Sequence, residues 1–323
     1  MEFDLVARLP IENAYLFVHI PKTAGTSFRD SLAGIFGEGL YCDYGVDEPT
    51  TSEVVLDYIH KRTAYPEFGS FLAEQKKAIC LSGHYPIKKY GPLFSIHKVM
   101  MFVRDPIQRV MSQYEHVCRL DGVTESLESF CSKPAHMNLQ SRNIGRVPFS
   151  LIGFIGLQEL YSESLQLLKS QMGLDIQEAF LNINEQRASV KYHPEGEVLD
   201  LLKKNNEQDL VLYQKIKALF MQRYELLTKG QQYIHGVVSS ISDNRVVGWA
   251  LDQNSDEPVE LTIMVNGQKL GETLANTYRH NLREWNVNRQ GYVGFEFTVK
   301  NLVAGDHIEC RVSKTGQLLP MTS

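Results

Sequence analysis

Residues 16–29 read LFVHIPKTAGTSFR. The apolar run Tyr15–Ile20 has the length and composition of a buried strand. It feeds Pro21 and Lys22, then a short turn of small and hydroxyl-bearing residues. A helix is expected from near Ser27, with Phe28, Leu32 and Ile35 on one face. A helix start leaves its first N–H groups without intrahelical partners, and these favour a phosphate or sulfate. Gly25 lets the backbone come close to a ligand, Thr26 and Ser27 add hydroxyls, and Lys22 is a flexible point charge. In the common nucleotide loop the lysine follows the glycines. Here it precedes them, which argues against an ordinary NTPase. The bland alternative is a capped helix after a buried strand, with Lys22 solvated.

A second block, MMFVRDPIQRVMSQY at 100–114, repeats the strand-to-helix pattern. Lys98–Val103 reads as a core strand. Asp105 is a good N-cap, and Pro106 suits the first helical turn. Ile107, Val110, Tyr114 and Val117 form an apolar stripe, with Arg109, Ser112 and His116 on another face. Arg104 at the strand end and Ser112 two turns into the helix are able to converge on one phosphate. Arg109 reads alternatively as a brace that grips a carboxylate. Leu157–Met172 and Gln208–Leu227 read as amphipathic helices, with Leu212, Ile216, Leu219 and Met221 in the core. The alternation predicts an α/β fold, a P-loop-like parallel sheet flanked by helices, with the anion site at its carboxyl edge.

Beyond about residue 234 the texture changes to short strands: YIHGVVSSIS, VVGWALD, VELTIMV, GYVGFEFTV and HIECRVS. Asn266–Gly267 between two of them signals a type I′ hairpin. The expected organisation is a catalytic-type domain over 1–230 and a C-terminal all-β sandwich domain over 234–323. Trp249 and Phe295 are expected in its core. Trp285, in the polar stretch HNLREWNVNRQG, is expected either to stack on sugar or to pack at a domain interface.

The 323 residues carry a net charge of −5, which argues against a general nucleic-acid binder with its broad basic surface but does not exclude a local cationic pocket. Cys42, Cys80, Cys118, Cys131 and Cys310 lack metal or disulfide spacing. The absence of a signal peptide and of any apolar run of membrane-spanning length makes a cytoplasmic protein the expectation.

HIPKTAGTS and FVRDPIQRVMSQY together resemble the two anion motifs of the PAPS-dependent sulfotransferases, nearest to the heparan and uronyl 2-O-sulfotransferases and their bacterial relatives. The likeness extends to about residue 228. Ala24 stands where the family's HIPKTGGTS carries its first glycine. The resemblance implies PAPS as sulfuryl donor, PAP as product and no required metal. It implies that Lys22 contacts the 5′-phosphosulfate and assists departure of the bridging oxygen. The turn Thr23, Ala24, Gly25, Thr26 and Ser27 would hold the 5′-phosphate, and Arg104 and Ser112 the 3′-phosphate. NLQSR at 138–142 is similar to the family's NxQTR, which makes Arg142 a candidate contact to nucleotide or acceptor, or else an ion-pair partner. Glu159 in FIGLQEL reads as structural bracing, and LNINEQR at 181–187 as a lid or purine-side loop.

Sulfuryl transfer to an alcohol needs a base, and histidine suits neutral pH. Among ten histidines, His84 in CLSGHYPIKKY follows an apolar run and a glycine, as the family's catalytic histidine does. A loop histidine satisfied by backbone is the alternative. His19 reads as structural, turned toward neighbouring backbone, with a catalytic role as its alternative. Lys88 and Lys89 are candidate contacts to an acidic acceptor, or a solvated pair. The expected partner is a small-molecule or glycan acceptor, with no nucleic acid. The β-sandwich, whose pattern resembles modules appended to bacterial carbohydrate-modifying enzymes, would position the enzyme or mediate association. The reading that rivals transfer is a non-catalytic nucleotide- or glycan-binding protein of the same fold. Nothing in the sequence specifies an oligomeric state.

Overall fold

The computed structural model describes residues 13–120, 124–176, 191–242, 244–300 and 305–321, together with 11, 122 and 303. The segment 181–187 therefore lies outside the described residues. The fold is α/β, with one parallel and two antiparallel sheets. Two compact units divide it. The first comprises residues 1–94, 98–147 and 152–221, and the second residues 95–97, 148–151 and 222–323.

The first unit is built on a five-stranded parallel sheet: β1 Ala14–Val18, β2 Leu40–Asp43, β3 Ile79–Gly83, β4 Val99–Val103 and β5 Phe154–Leu157. Its order is β2-β3-β1-β4-β5, and every neighbouring pair is parallel. β3, β4 and β5 are buried at every position, and β1 at all but one. Apolar runs without alternation are what a sheet covered on both faces requires. The edge strand β2 is only half-buried until Asp43.

The order decides where the chemistry falls. The chain runs β1, then β2 and β3 to one side, then β4 and β5 to the other. β1 is thus flanked by β3 and β4, and the topological switch lies beside it, the usual place for a ligand at a carboxyl edge.

The first helix runs Gly25–Phe36, two residues earlier than expected. Phe28, Leu32 and Phe36 are buried, whereas Ile35 is exposed. The register is Phe28–Leu32–Phe36, an i, i+4, i+8 stripe that leaves Ile35 on its outer side. The helix Pro106–Leu120 begins as expected, with Asp105 Oδ1 accepting from the Gln108 N–H at 3.0 Å. Ile107 and Val110 are buried, and Tyr114 and Val117 pack against them. A fully buried valine such as Val110 contributes about 1.5–3 kcal/mol. The segment after β5 makes a 3-10 turn at Gln158–Leu160 before its helix, Tyr161–Met172. The long helix Glu207–Thr228 buries Tyr213, Ile216, Leu219 and Phe220, while Met221 is exposed. An aromatic at position 220 fills the place expected for Met221.

The second unit carries β6 His235–Ser242, β7 Arg245–Leu251, β8 Val259–Val265, β9 Gln268–Ala275, β10 Thr277–Tyr278, β11 Tyr292–Thr298 and β12 Ile308–Val312. They form sheets of order β10-β11-β7-β6 and β12-β8-β9. One apolar cluster draws on both, with Val246 and Phe295 from the first and Leu261, Ile263 and Cys310 from the second. Asn266 and Gly267 both take positive φ between β8 and β9, the backbone of a type I′ turn. Trp249 and Phe295 are both buried in the core of this unit, as expected, and Phe295 belongs to the cluster that draws on both sheets. Trp285 is half-buried. All five cysteines are free.

Candidate functional site

Three adjacent strands end at one edge, and each is followed by a residue singled out above. His84 follows β3, Lys22 follows β1 after four residues, and Arg104 follows β4 directly. Neighbouring strands lie about 4.8 Å apart, so the three side chains start from positions within reach of one small anion-bearing ligand.

The loop after β1 is held in an unusual backbone. Lys22 and Ala24 both have positive φ, 68° and 72°. A Cβ in that region costs about 1–2 kcal/mol. Ala24 is the N-cap of the first helix, with no side-chain cap and no acidic residue in the first turn. Thr23 is buried and donates its hydroxyl to the Ile20 carbonyl at 2.8 Å, which ties the loop to its strand. A Cβ on Gly25 would overlap the His19 imidazole, so only glycine fits there. The Lys22 pKa is pushed down to about 8, first by burial, then by the charges of Arg119 and Arg104. The Arg104 guanidinium lies 3.4 Å from the Lys22 carbonyl.

Arg104 is itself a braced residue. Gln140, 1% exposed, grips both sides of its peptide: Oε1 accepts from the Arg104 N–H at 2.9 Å and Nε2 donates to its carbonyl at 2.8 Å. Asp209 in turn accepts from the Gln140 and Ser141 N–H groups and the Ser141 hydroxyl. Glu159 accepts from the Asp105 N–H at 2.7 Å and from the Tyr213 hydroxyl at 3.0 Å. It braces the backbone next to Arg104 and makes no direct ion pair with it. Tyr192 lies beside Ser112, and its phenol donates to Glu115 at 2.7 Å.

Arg142 donates to the Ala135 carbonyl at 2.7 Å. Arg109 is buried, not on a polar face, and donates to the His136 carbonyl at 2.9 Å. Its brace is a carbonyl where a carboxylate was expected, because the nearby Asp209 is occupied by the 140–141 backbone. Burial pulls its pKa to about 10.

On the other side, the backbone N–H of His84 donates to the Asp43 carbonyl at 3.1 Å, and the residue reaches the surface. His19 and Tyr44 meet its ring edge-on, at 4.6 and 4.7 Å between centroids. Although the residue reaches the surface, protein atoms crowd most of its ring; that desolvation first, then the charges of Arg29 and Lys22, push the His84 pKa down to about 4. A neutral imidazole at pH 7 is the form able to accept a proton. His19 points at a side chain, not at backbone as expected: its Nδ1 lies 2.9 Å from the Tyr44 hydroxyl.

Lys88 and Lys89 have different fates. Together with Tyr65 and Pro86 they line an open cleft of about 480 Å³. Lys88 is exposed. Lys89 is committed to Asp43 at 2.6 Å, as are the Tyr90 hydroxyl at 2.7 Å and the His60 ring at 2.9 Å. Burial opposes ionisation of Asp43, but the bonds from Lys89, Tyr90 and His60 outweigh it and hold the carboxyl below its ordinary value.

Five residues around these positions had no role from sequence: Arg29, Tyr44, Arg119, Gln140 and Tyr192. Arg119 had a signal, since it lies seven residues beyond Ser112, two helical turns along one face. Tyr44 and Tyr192 had none, because their partners are distant in the chain. Among the described residues no group of three or more His, Cys, Asp or Glu is placed to hold a metal ion, and no helix is long and apolar enough to cross a membrane.

Comparison with solved structures gives distant likenesses to other proteins, sulfotransferases among them. One is mouse sulfotransferase SULT7A1 complexed with PAP, at 11% identity over 58% of this chain and 70% of that one, with a TM-score of 0.35. Another is a sulfotransferase from Alicyclobacillus acidocaldarius, at 12% identity over 68% of this chain and 97% of that one, with a TM-score of 0.30. Likenesses this remote bear on neither site nor substrate. No curated protein matches the sequence. The model of the Sulfotransferase family, however, matches residues 12–227, from the start of β1 almost to the end of the long helix, and on that match the chain belongs to the sulfotransferase family.

Proposed function

We propose that the protein transfers the sulfuryl group of PAPS to an acceptor hydroxyl, with a carbohydrate or glycoconjugate as the acceptor, and releases PAP. The new bond joins sulfur to the acceptor oxygen, the bond from sulfur to the bridging phosphate oxygen breaks, and the hydroxyl proton passes to His84. Lys22 neutralises charge developing on the bridging oxygen. The turn Thr23–Ser27 and the start of the first helix hold the 5′-phosphate, and Arg104 and Ser112 hold the 3′-phosphate. Arg142 is assigned to neither phosphate, since its guanidinium is turned to Ala135. Lys88 is the cation available to an acidic acceptor. Lys89 contributes through Asp43.

The observation that supports this reading is the strand order β3-β1-β4, since His84, Lys22 and Arg104 each follow one of these three neighbouring strands. The donor fits the residues present. A helix start without side-chain or acidic caps faces a lysine and an arginine, a cationic corner in a chain of net charge −5.

Within the family we place the chain beside the heparan and uronyl 2-O-sulfotransferases, on its HIPKTAGTS and NLQSR segments. We read residues 1–230 as the transferase domain and 234–323 as a β-sandwich accessory domain. The test is transfer from labelled PAPS across a panel of glycans, lipids and small phenols. Label on a glycan hydroxyl is the expected result. Transfer only to a lipid or phenol would overturn the acceptor class. PAP binding with no transfer to any acceptor would favour a non-catalytic binding protein.

A further inference from the structure

His19 and Tyr44 take no part in the roles assigned above, yet His19 follows β1 at the middle of the β3-β1-β4 edge, and Tyr44, which follows the edge strand β2, reaches it. His19 is 5% exposed, and its ring packs under the donor loop where a Cβ on Gly25 would otherwise be. It stacks on Phe17 at 5.6 Å and meets His84 at 4.6 Å. Its Nδ1 is 2.9 Å from the Tyr44 hydroxyl, which lies 3.1 Å from the Ser82 hydroxyl on β3. The Tyr44 ring meets both imidazoles, His84 at 4.7 Å and His19 at 5.6 Å, each nearly edge-on. Burial keeps the phenol protonated, with its pKa pushed up to about 12, and keeps His19 neutral, with its pKa near 3. The bond between them therefore joins two uncharged groups across the working pH range.

An exposed histidine left alone turns about two side-chain torsions. Here one side of the ring meets His19 and another meets Tyr44, and a single phenolic oxygen ties those two walls together and to β3. The same His19 ring sets the height of the Gly25 turn. Donor loop and His84 are thereby referred to one buried wedge.

We propose that Tyr44 is a positioning residue: its hydroxyl locks His19 against β3, and the two rings hold the His84 imidazole in register with the donor loop. This rests on His84 as the acceptor base. Tyr44→Phe keeps the ring and removes the hydroxyl. The expected result is a fall in kcat of about tenfold, with the KM for PAPS and the Kd for PAP changed by less than about twofold. In a His84→Ala background the same substitution is expected to leave the residual turnover unchanged. Ser82→Ala removes the other partner of the phenol. It is expected to lower kcat less, again without weakening PAP binding, and it carries the test if Tyr44→Phe fails to fold. Wild-type kcat in Tyr44→Phe, or equal losses with and without His84, would overturn the inference while leaving the base assignment intact. Wild-type turnover in His84→Ala would overturn the base assignment and this inference with it.

Discussion

The two sides of the β3-β1-β4 edge are built differently. On the donor side nearly every group is fixed. Lys22 and Ala24 sit in a left-handed backbone, Gln140 clamps the Arg104 peptide on both sides, and Glu159 holds the residue after it. On the acceptor side His84 reaches the surface, Lys88 is exposed, and Lys89 is drawn inward by Asp43. A preorganised donor corner is what charge stabilisation in transfer requires, since fixed cations need no reorganisation as the reaction proceeds. The side proposed for the acceptor has His84 as its proposed base and a cleft, with few groups that would read a particular molecule. On the proposed reading, the side assigned to the donor is thus the more rigidly built, and the side assigned to the acceptor much less so.

Removal of the donor cation should give the largest effect. Lys22→Ala is expected to lower kcat by about 10²–10³-fold, measured in single-turnover transfer from labelled PAPS. A loss below about tenfold would mean that the fixed side does not supply the transfer charge.

The pH profile probes both sides at once. His84 must be unprotonated to act as base, and its pKa is about 4, not the ordinary 6.5. Lys22 must be protonated, and its pKa is about 8, not 10.5. kcat/KM for PAPS, which reports the free enzyme, should fall below about pH 4 and above about pH 8. A bound anionic donor favours the protonated form of both groups, so the kcat profile should lie at higher pH than the kcat/KM profile. An acid limb of kcat/KM near 6.5 would show that His84 is not held neutral by its surroundings.

The two acceptor-side lysines separate a structural cation from a free one. Lys89→Met leaves the buried Asp43 with Tyr90 and His60 alone, and is expected to cost about 1–3 kcal/mol in denaturant unfolding. Lys88→Met should change stability by less than about 0.5 kcal/mol. The Asp43 carboxyl has a lowered folded pKa. Its contribution is therefore present above the unfolded carboxylate value and lost as pH falls through the folded one. Asp43→Asn should remove that part of the acid dependence.

The smallest effect concerns the loop itself. Ala24→Gly relieves a Cβ at φ 72°, and is expected to raise stability by about 0.5–1 kcal/mol despite the freer unfolded chain. Destabilisation would mean that the left-handed loop is not strained by Ala24.

Much of this was legible in the sequence, and the reasons are local. β1 and β4 are short apolar runs that end in a lysine–glycine turn and an arginine. Asp105–Pro106 announces a helix start through its own side chain. Asn266–Gly267 carries its turn in its backbone preferences. What escaped depends on residues far apart in the chain. Lys88 and Lys89 are alike in sequence, but only Lys89 reaches Asp43, 46 positions away. Gln140 was visible in NLQSR, but its hold on Arg104, 36 positions away, follows from how the segment packs. Arg109 falls on the polar face by spacing, yet it is buried, its guanidinium donating to the His136 carbonyl, 27 positions away.

The most direct test of the two-sided account is to measure PAP binding and sulfuryl transfer on the same preparations of His84→Ala and Arg104→Ala. The account predicts that His84→Ala binds PAP as the wild type does and transfers about 10²-fold more slowly, while Arg104→Ala loses PAP affinity. His84→Ala with wild-type turnover, or Arg104→Ala with wild-type PAP affinity, would contradict it.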